Sequence, residues 1–522
     1  MQKYSLRSVL LFVIVVMGVS LSWRPLAVPD EGRYLGVAAA MWHSQDWIVP
    51  RLDGLPYFHK PPLFYWLAGL FYGLSGETAW VGRLVSWLGA LTGLLSLAWL
   101  QVTVAAADQV ELRQRLREQA KWSVLVLALQ PLWLIGAQYA NLDMLVAGLI
   151  SAAICALARW ALRPDLGRAP WLALLAIGLG VLAKGLIGLV LPVAVIVLWL
   201  VWERRWSQLL RMMFWPGWLL LPVLILPWFL LVERQHPGFL HYFVVVQHFK
   251  RFVGHTFNNV MPFWFFPAIL LLLMLPWSPM LLAQAVGYRR RAAAATSDEL
   301  PPRLERLAWA WLAVIVLFFS LPASKLVGYI LPAVPAAALL MGAFAARSVQ
   351  AGTSWLRRGA PWLAGLSVLV CLGSVAAIAR LDHKGNGELA QRLQPQLQPG
   401  DQLVYWSDYF FDLALLLHRR EPVTILSSRL KMGTFTGDGW EQELLDAAEF
   451  DLPQGRRLLR QPEQWAEVRC AAPRTWLIAR QDERAAIARL TAGLSPTLGA
   501  GKTDAYLVTA GECPAAAQHE GR

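Results

Sequence analysis

The sequence predicts a multispanning α-helical membrane protein followed by a C-terminal extracytoplasmic α/β domain. Three observations carry that prediction. Of 522 residues, 57% are hydrophobic and only 16% charged, against about 25% charged in an ordinary soluble domain, and the mean hydropathy is +0.45. The apolar residues gather into runs near the roughly 20 residues that a spanning helix needs. After residue 380 those runs stop and the composition turns polar.

Taken in order, spans are expected at 8–23, 80–105, 121–139, 142–160, 171–183, 186–202, 213–232, 263–286, 307–321, 328–346 and 361–379, about eleven or more in all. The pair at 171–202 reads either as one long tilted helix or as two spans joined at Lys184-Gly185. The first run, "SVLLFVIVVMGVSLSW", follows Lys3 and Arg7, and no small-residue cleavage site precedes Arg24-Pro25, so it reads as an uncleaved span. Basic residues cluster between the runs: Arg113, Arg115, Arg117 and Lys121; Arg163 and Arg168; Arg204, Arg205 and Arg211; Arg289, Arg290 and Arg291. Such clusters mark cytoplasmic loops. Segments 24–79, 140–141, 184–185, 233–262 and 322–327, and everything after 380, then fall outside. The net charge of +13 is thereby an orientation signal, and nucleic acid is excluded as a partner.

The stretch "LDHKGNGELAQRLQPQLQPGDQLVYW" reads as a linker into a domain over 381–522, leaving 1–380 as the membrane part. Strands are expected at "QLVYW", "PVTIL", "TWLIA" and "DAYLVTA", and a helix at "DERAAIARLTAGL". Four cysteines are too few for a disulfide scaffold. Cys155 and Cys371 lie in apolar runs as packing residues. Cys470 and Cys513 lie outside, where oxidation is possible, and a bond between them is expected.

The external loop 24–79 holds the most varied chemistry of the N-terminal half, "DEGRYLGVAAAMWHSQDWIVPRLDGLPYFHKPPLFYW". Residues 33–43 can form a short interfacial helix, and the aromatic segment 62–75 suits the headgroup level. A polar site there meets membrane lipids directly. Asp30 is either a reacting carboxylate or a helix N-cap, and Glu31 either joins it or occupies the first turn. Asp143, after Asn141, opens an apolar helix at the same face and either converges with Asp30 or caps that helix. Lys60, Arg251 and Lys325 sit at outer membrane edges, where a snorkelling anchor is the ordinary reading.

"PDEGRY" and "DWIVPRLDGLPYFHKPPLFYW" resemble the first external loop of bacterial membrane glycosyltransferases of the GT-C fold, related to aminoarabinose transferase and to protein O-mannosyltransferases. Further matching stretches follow in order: "QYANLDMLVAG" at 138–148, "GLGVLAKGLIGLVLP" at 178–192, "QHFKRFVGH" with "PFWFF" within 247–266, and "SKLVGYILPAVP" at 324–335. The resemblance covers about residues 25–345. It implies inverting transfer of a sugar from a polyprenyl (undecaprenyl) phosphate carrier at the outer face of the inner membrane. The acceptor it implies is lipid A, another envelope glycolipid or a protein hydroxyl. The resemblance puts Asp30 at the catalytic centre with Glu31 and Asp143 beside it, and Lys60, Arg251, Lys325, Tyr57 and Tyr329 near the donor phosphate. His59 departs from the aminoarabinose branch, which carries Glu before Lys-Pro-Pro and uses it to help hold a metal. His can also ligate a divalent ion such as Zn, Mg or Mn, with His248 as the second candidate. The rival reading is a flippase for a lipid-linked sugar. The sequence shows neither the internal repeat nor the midplane charges common in transporters.

Overall fold

The structure, a computed structural model, describes residues 4–106, 108–164, 167–250, 259–292, 299–381, 384–430, 439–491 and 493–509. The first half runs through α1 (Leu6–Gly18), α2 (Asp30–Ser44), α3 (Leu63–Ser75), α4 (Ala79–Thr103), α5 (Val110–Ala128), α6 (Pro131–Ala137), α7 (Leu142–Leu162), α8 (Ala169–Lys184), α9 (Ile187–Trp202), α10 (Trp206–Met213) and α11 (Leu221–Gln235). Further long helices cover Leu300–Ser320, Val334–Gln350 and Ser354–Leu381.

The chain is a helical membrane protein. Among the described residues, five helices are long and apolar enough to cross a bilayer, and two bent helix pairs raise the number to seven. The gap from about eleven lies in α1, α8 and α9, which are short, and in Leu300–Ser320, whose first turns carry Arg303, Glu305 and Arg306. The stretch 171–202 resolves into two helices, broken at Gly185 with φ 91°.

Each bend has a chemical cause. Between α5 and α6 the axis turns by 67° at Gln130-Pro131. Proline lacks the N–H that would continue the ladder, and beside the bend the Trp277 indole N–H donates to the Leu129 carbonyl at 2.8 Å. The second pair, Phe265–Leu273 and Ser278–Tyr288, turns by 117° across Pro276. Helices α4 and α7 approach to backbone contact, since a Cβ on Gly148 would stand 1.9 Å from the Gly89 carbonyl oxygen. Small residues allow such approach where lipid supplies no hydrophobic drive between helices.

The C-terminal region carries a six-stranded sheet in the order β5-β4-β3-β6-β8-β7. Its strands are β3 (Gln402–Trp406), β4 (Thr424–Leu426), β5 (Leu459–Arg460), β6 (Arg474–Arg480), β7 (Leu498–Ala500) and β8 (Thr503–Thr509). Strands β5, β4, β3 and β6 pair in parallel, and β8 runs antiparallel between β6 and β7. Parallel strands are covered on both faces, which explains why Val404, Tyr405, Leu477 and Ile478 are all buried.

Two contacts tie the C-terminal region to segment 24–79. A hairpin of β1 (Arg51–Leu52) and β2 (Leu55–Pro56) turns at Asp53-Gly54, both with positive φ, the geometry that favours Asp-Gly. The Asp53 carboxylate accepts the Val423 N–H at 2.8 Å. Burial pushes Asp53 up to about 7 against that hydrogen bond. The second contact is at Gly32, where a Cβ would lie 2.8 Å from the Asp412 backbone nitrogen. Helix α2 therefore sits directly on C-terminal backbone.

Candidate active site

Helix α2 opens with two carboxylates of opposite character. Pro29 occupies the N-cap position, so Asp30 and Glu31 both lie in the first turn. Glu31 is fully buried and takes six donors. Arg24 Nη1 and Nη2 reach its two oxygens at 2.6 and 2.7 Å, Arg83 Nε and Nη2 at 3.0 and 2.9 Å, and the Ala27 and Ala140 amides each at 2.8 Å. Burial alone would raise this acid. The Arg83 charge and hydrogen bond, then those of Arg24, overcome it and hold the carboxyl down to about 2. The same guanidiniums donate to the Leu21, Arg24, Pro25 and Gln138 carbonyls. Glu31 thus joins the end of the first span, α2, α4 and the α6–α7 connection. Both of its oxygens are taken up by these donors, and Glu31 lies in the first turn of α2.

Asp30 keeps 35% of its side chain exposed. It accepts the Tyr139 hydroxyl at 3.1 Å and faces Arg33 at 3.4 Å. Arg33 reaches across to Glu443 of the Trp440–Glu449 helix at 3.0 Å and lies 4.9 Å over the Phe411 ring. Asp30 and Asp143 both act electrostatically on Tyr34, whose hydroxyl is raised first by burial and then by Asp30. Both carboxylates thus lie within electrostatic reach of one tyrosine. Asn141, not Asp143, caps α7: its side-chain oxygen accepts the Asp143 N–H at 2.9 Å.

Asp143 has a partner that sequence reasoning missed. Lys184, the last residue of α8, pairs with it and lies 4.5 Å from the Tyr329 ring centre. The signal was present, because a lysine ending an otherwise apolar 16-residue helix is costly in a membrane and points to function.

His59 and Tyr57 stack at 4.8 Å, both buried. His59 Nε2 stands 3.5 Å from Asp446, whose carboxylate also accepts the Tyr242 hydroxyl at 2.7 Å. Burial would raise Asp446, but His59, Tyr242 and Gln442 together hold it below the usual aspartate range. A metal needs a converging donor set, and among the described residues no three His, Cys, Asp or Glu side chains form one. His59 and Asp446 alone do not fit a divalent ion, and the His248 side chain lies outside the described residues. Arg251 also lies outside them. Lys60 follows His59, half-buried. Lys325 is buried, and its ammonium donates to the Met261 and Pro322 carbonyls at 2.9 and 2.5 Å, with Ala323 at 3.5 Å. That clamps segment 259–261 to 322–325. Tyr329 is half-buried against Phe319. Cys155 and Cys371 are free and buried. Cys470 is disulfide-bonded, and Cys513 lies outside the described residues.

A polar site built on segment 24–79, beneath a C-terminal sheet and above a helical bundle, is the arrangement of the GT-C fold. The crystal structure of ArnT from Cupriavidus metallidurans bound to undecaprenyl phosphate superposes with a TM-score of 0.78 at 23% identity, over 97% of this chain and 98% of that one. Residues 5–243 match the family of dolichyl-phosphate-mannose-protein mannosyltransferases. The undecaprenyl phosphate-α-4-amino-4-deoxy-L-arabinose arabinosyl transferase of Aeromonas hydrophila is 34% identical over 376 residues, 71% of this chain and 65% of that protein. Its counterpart in Pseudomonas aeruginosa strain UCBPP-PA14 is 33% identical over 379 residues, 70% of this chain and 63% of that protein. The matched stretch spans less than two thirds of those relatives' length. The chain is similar in sequence to the aminoarabinose transferases and the protein mannosyltransferases, as its loop motifs implied.

Proposed function

We propose that the protein is an inverting glycosyltransferase of the bacterial inner membrane, taking its sugar from an undecaprenyl phosphate carrier. The acceptor is lipid A or another envelope glycolipid at the periplasmic face. The observation that carries this reading is the division of labour in α2. Glu31 is saturated by six donors, while Asp30 is left partly open beside Tyr139 and near Asp143. The relatives named above support the donor class, since they are named for an undecaprenyl phosphate-linked sugar and one was solved with undecaprenyl phosphate.

In this reading an acceptor oxygen attacks the anomeric carbon from the face opposite the carrier. The new C–O bond forms as the bond to the carrier phosphate breaks, and the phosphate leaves with the electron pair. Developing charge on that phosphate is the main catalytic demand, and Lys60, Arg251, Tyr57 and Tyr329 are the groups we assign to it. Asp30 takes the proton of a hydroxyl acceptor; for a phosphate acceptor, already ionised, it orients the nucleophile. Asp143 and Lys184 form a fixed pair below it, and Glu31 and Lys325 position backbone. No step runs through a metal. A protein hydroxyl as acceptor is the second reading, favoured by the mannosyltransferase match over residues 5–243.

The proposal includes eleven spans: five long helices, two bent pairs, α1, α8, α9 and Leu300–Ser320. It also includes a periplasmic α/β domain over 381–522, bound to the catalytic loop through Arg33–Glu443, His59–Asp446 and Asp53–Val423. The direct test incubates purified full-length protein with an undecaprenyl phosphate-linked aminoarabinose and lipid A. Transfer by wild type that disappears in Asp30→Asn supports the proposal. Equal transfer by both removes Asp30 from the chemistry, and no transfer to lipid A or to envelope protein removes the activity.

A further inference from the structure

The arginine beside Asp30 is held from the far end of the chain. Arg33 lies one turn after Asp30 on α2, and its Nη1 stands 3.4 Å from Asp30 Oδ1. Its Nε stands 3.0 Å from Glu443 Oε2, carried by the Trp440–Glu449 helix. The guanidinium carbon lies 4.9 Å from the centre of the Phe411 ring and 5.8 Å from that of Tyr34. Little of either partner reaches solvent, with 14% of the Arg33 side chain and 15% of the Glu443 side chain exposed.

An ion pair three residues apart on a helix ordinarily contributes little, because two mobile side chains must be ordered in water to form it. Here the ordering is already supplied. A guanidinium is a planar fork whose nitrogens have fixed directions, so seating Nε on Glu443 and the ring plane near Phe411 also fixes where Nη1 points. The helix turn beneath is equally constrained, since a Cβ on Gly32 would lie within 2.9 Å of Phe411 and Asp412 backbone atoms. Asp30 is thus held on two sides: Oδ1 faces Arg33, and Oδ2 accepts the Tyr139 hydroxyl. Docking of the C-terminal region does not by itself call for this route. Asp446, three residues along the same helix, already pairs with His59, whereas Glu443 acts on the cation that faces Asp30.

We propose that Glu443 is a positioning residue for transfer, acting through Arg33 to hold the Asp30 carboxylate in the orientation that meets the acceptor. The inference rests on the reading of Asp30 as the group that takes the acceptor's proton or orients the acceptor. Neither Glu443 nor Arg33 needs to touch substrate in this role. A reacting group held slightly out of line loses rate rather than binding, so the effect falls on kcat.

The test compares purified full-length variants in transfer from undecaprenyl phosphate-linked aminoarabinose to lipid A, with inactivation rates measured alongside. Transfer by wild type that is lost in Asp30→Asn establishes the underlying reading. Glu443→Gln, which keeps the size and removes the charge, should then lose on the order of tenfold in kcat, with KM for both substrates within about twofold. Glu443→Asp restores the charge and should recover most of that loss. Asp53→Ala loosens a separate docking contact, at Val423, and should keep the wild-type kcat per folded molecule. Wild-type kcat in Glu443→Gln, no recovery in Glu443→Asp, or an equal fall in Asp53→Ala overturns the positioning role and leaves transfer through Asp30 standing. Transfer that survives in Asp30→Asn removes the reading of Asp30, and this role with it.

Discussion

Replacing Glu31 with Gln separates scaffold from chemistry within two adjacent residues. The substitution removes one charge from a fully buried carboxylate and leaves Arg24 and Arg83 facing a neutral amide. Breaking a buried ion pair from one side costs about 3–5 kcal/mol, and here two cations are stranded. Membrane proteins in detergent unfold irreversibly, so the measurable quantity is an inactivation rate. If the loss falls on the native state alone, that rate rises roughly 10²- to 10⁴-fold. Asp30→Asn touches a partly exposed side chain and should leave the rate nearly unchanged, within about a factor of five. The pH profile adds a second arm. A carboxyl held down to about 2 from 4.5 contributes stability that is complete above pH 4.5 and lost as pH falls through about 2. That acid-side loss should be flattened in Glu31→Gln. Wild-type inactivation kinetics in Glu31→Gln, with transfer lost as fully as in Asp30→Asn, would refute the scaffold assignment.

Four further outcomes are expected. Asp143→Asn and Lys184→Met should each lower stability and transfer, and the double variant should regain stability without regaining transfer, with a coupling of about 1–3 kcal/mol in a double-mutant cycle; additive single effects would remove the pair. Lys325→Met frees the Met261 and Pro322 carbonyls and should cost about 1–3 kcal/mol while transfer per folded molecule stays within about threefold. Lys60→Met should do the reverse, keeping stability and losing on the order of 10²-fold in kcat. At Asp53, the unfolded chain releases its proton from about 3.8 upward but the folded protein only near 7, so stability falls across that window as pH rises. Asp53→Asn should abolish the fall, worth at most roughly 4 kcal/mol, and inactivation rates at pH 4 and pH 8 would measure it.

The sequence carried the membrane class because apolar run length is a direct physical requirement of the bilayer. It also carried strand positions in the C-terminal region: "QLVYW" is β3, and "TWLIA" lies within β6. Helix breaks were legible at Gly185, where a charged residue and a glycine met, and less so at Pro131, where a proline inside one apolar run marked a bend. The carboxylates of the site were visible as types, but their roles were not. Which of Asp30 and Glu31 is buried depends on Arg83, 52 residues away, and on the Ala140 amide, 109 residues away. Lys325 read as a phosphate ligand because its carbonyl partners at 261 and 322 meet only in the fold. The Asp-Gly hairpin at 53–54 had a local signal, whereas its docking on Val423 had none. Arg33, Glu443 and Asp446 were missed because each matters through a partner from the other end of the chain.

The central claim is that an open carboxylate on the external loop serves transfer of a lipid-linked sugar. Mass spectrometry of lipid A and other envelope glycolipids tests it most directly, comparing a deletion strain that carries the wild-type gene with one that carries Asp30→Asn. A sugar-sized mass increment present only with wild type is the predicted result. Identical profiles of glycolipids and of glycosylated envelope proteins in the two strains would contradict it.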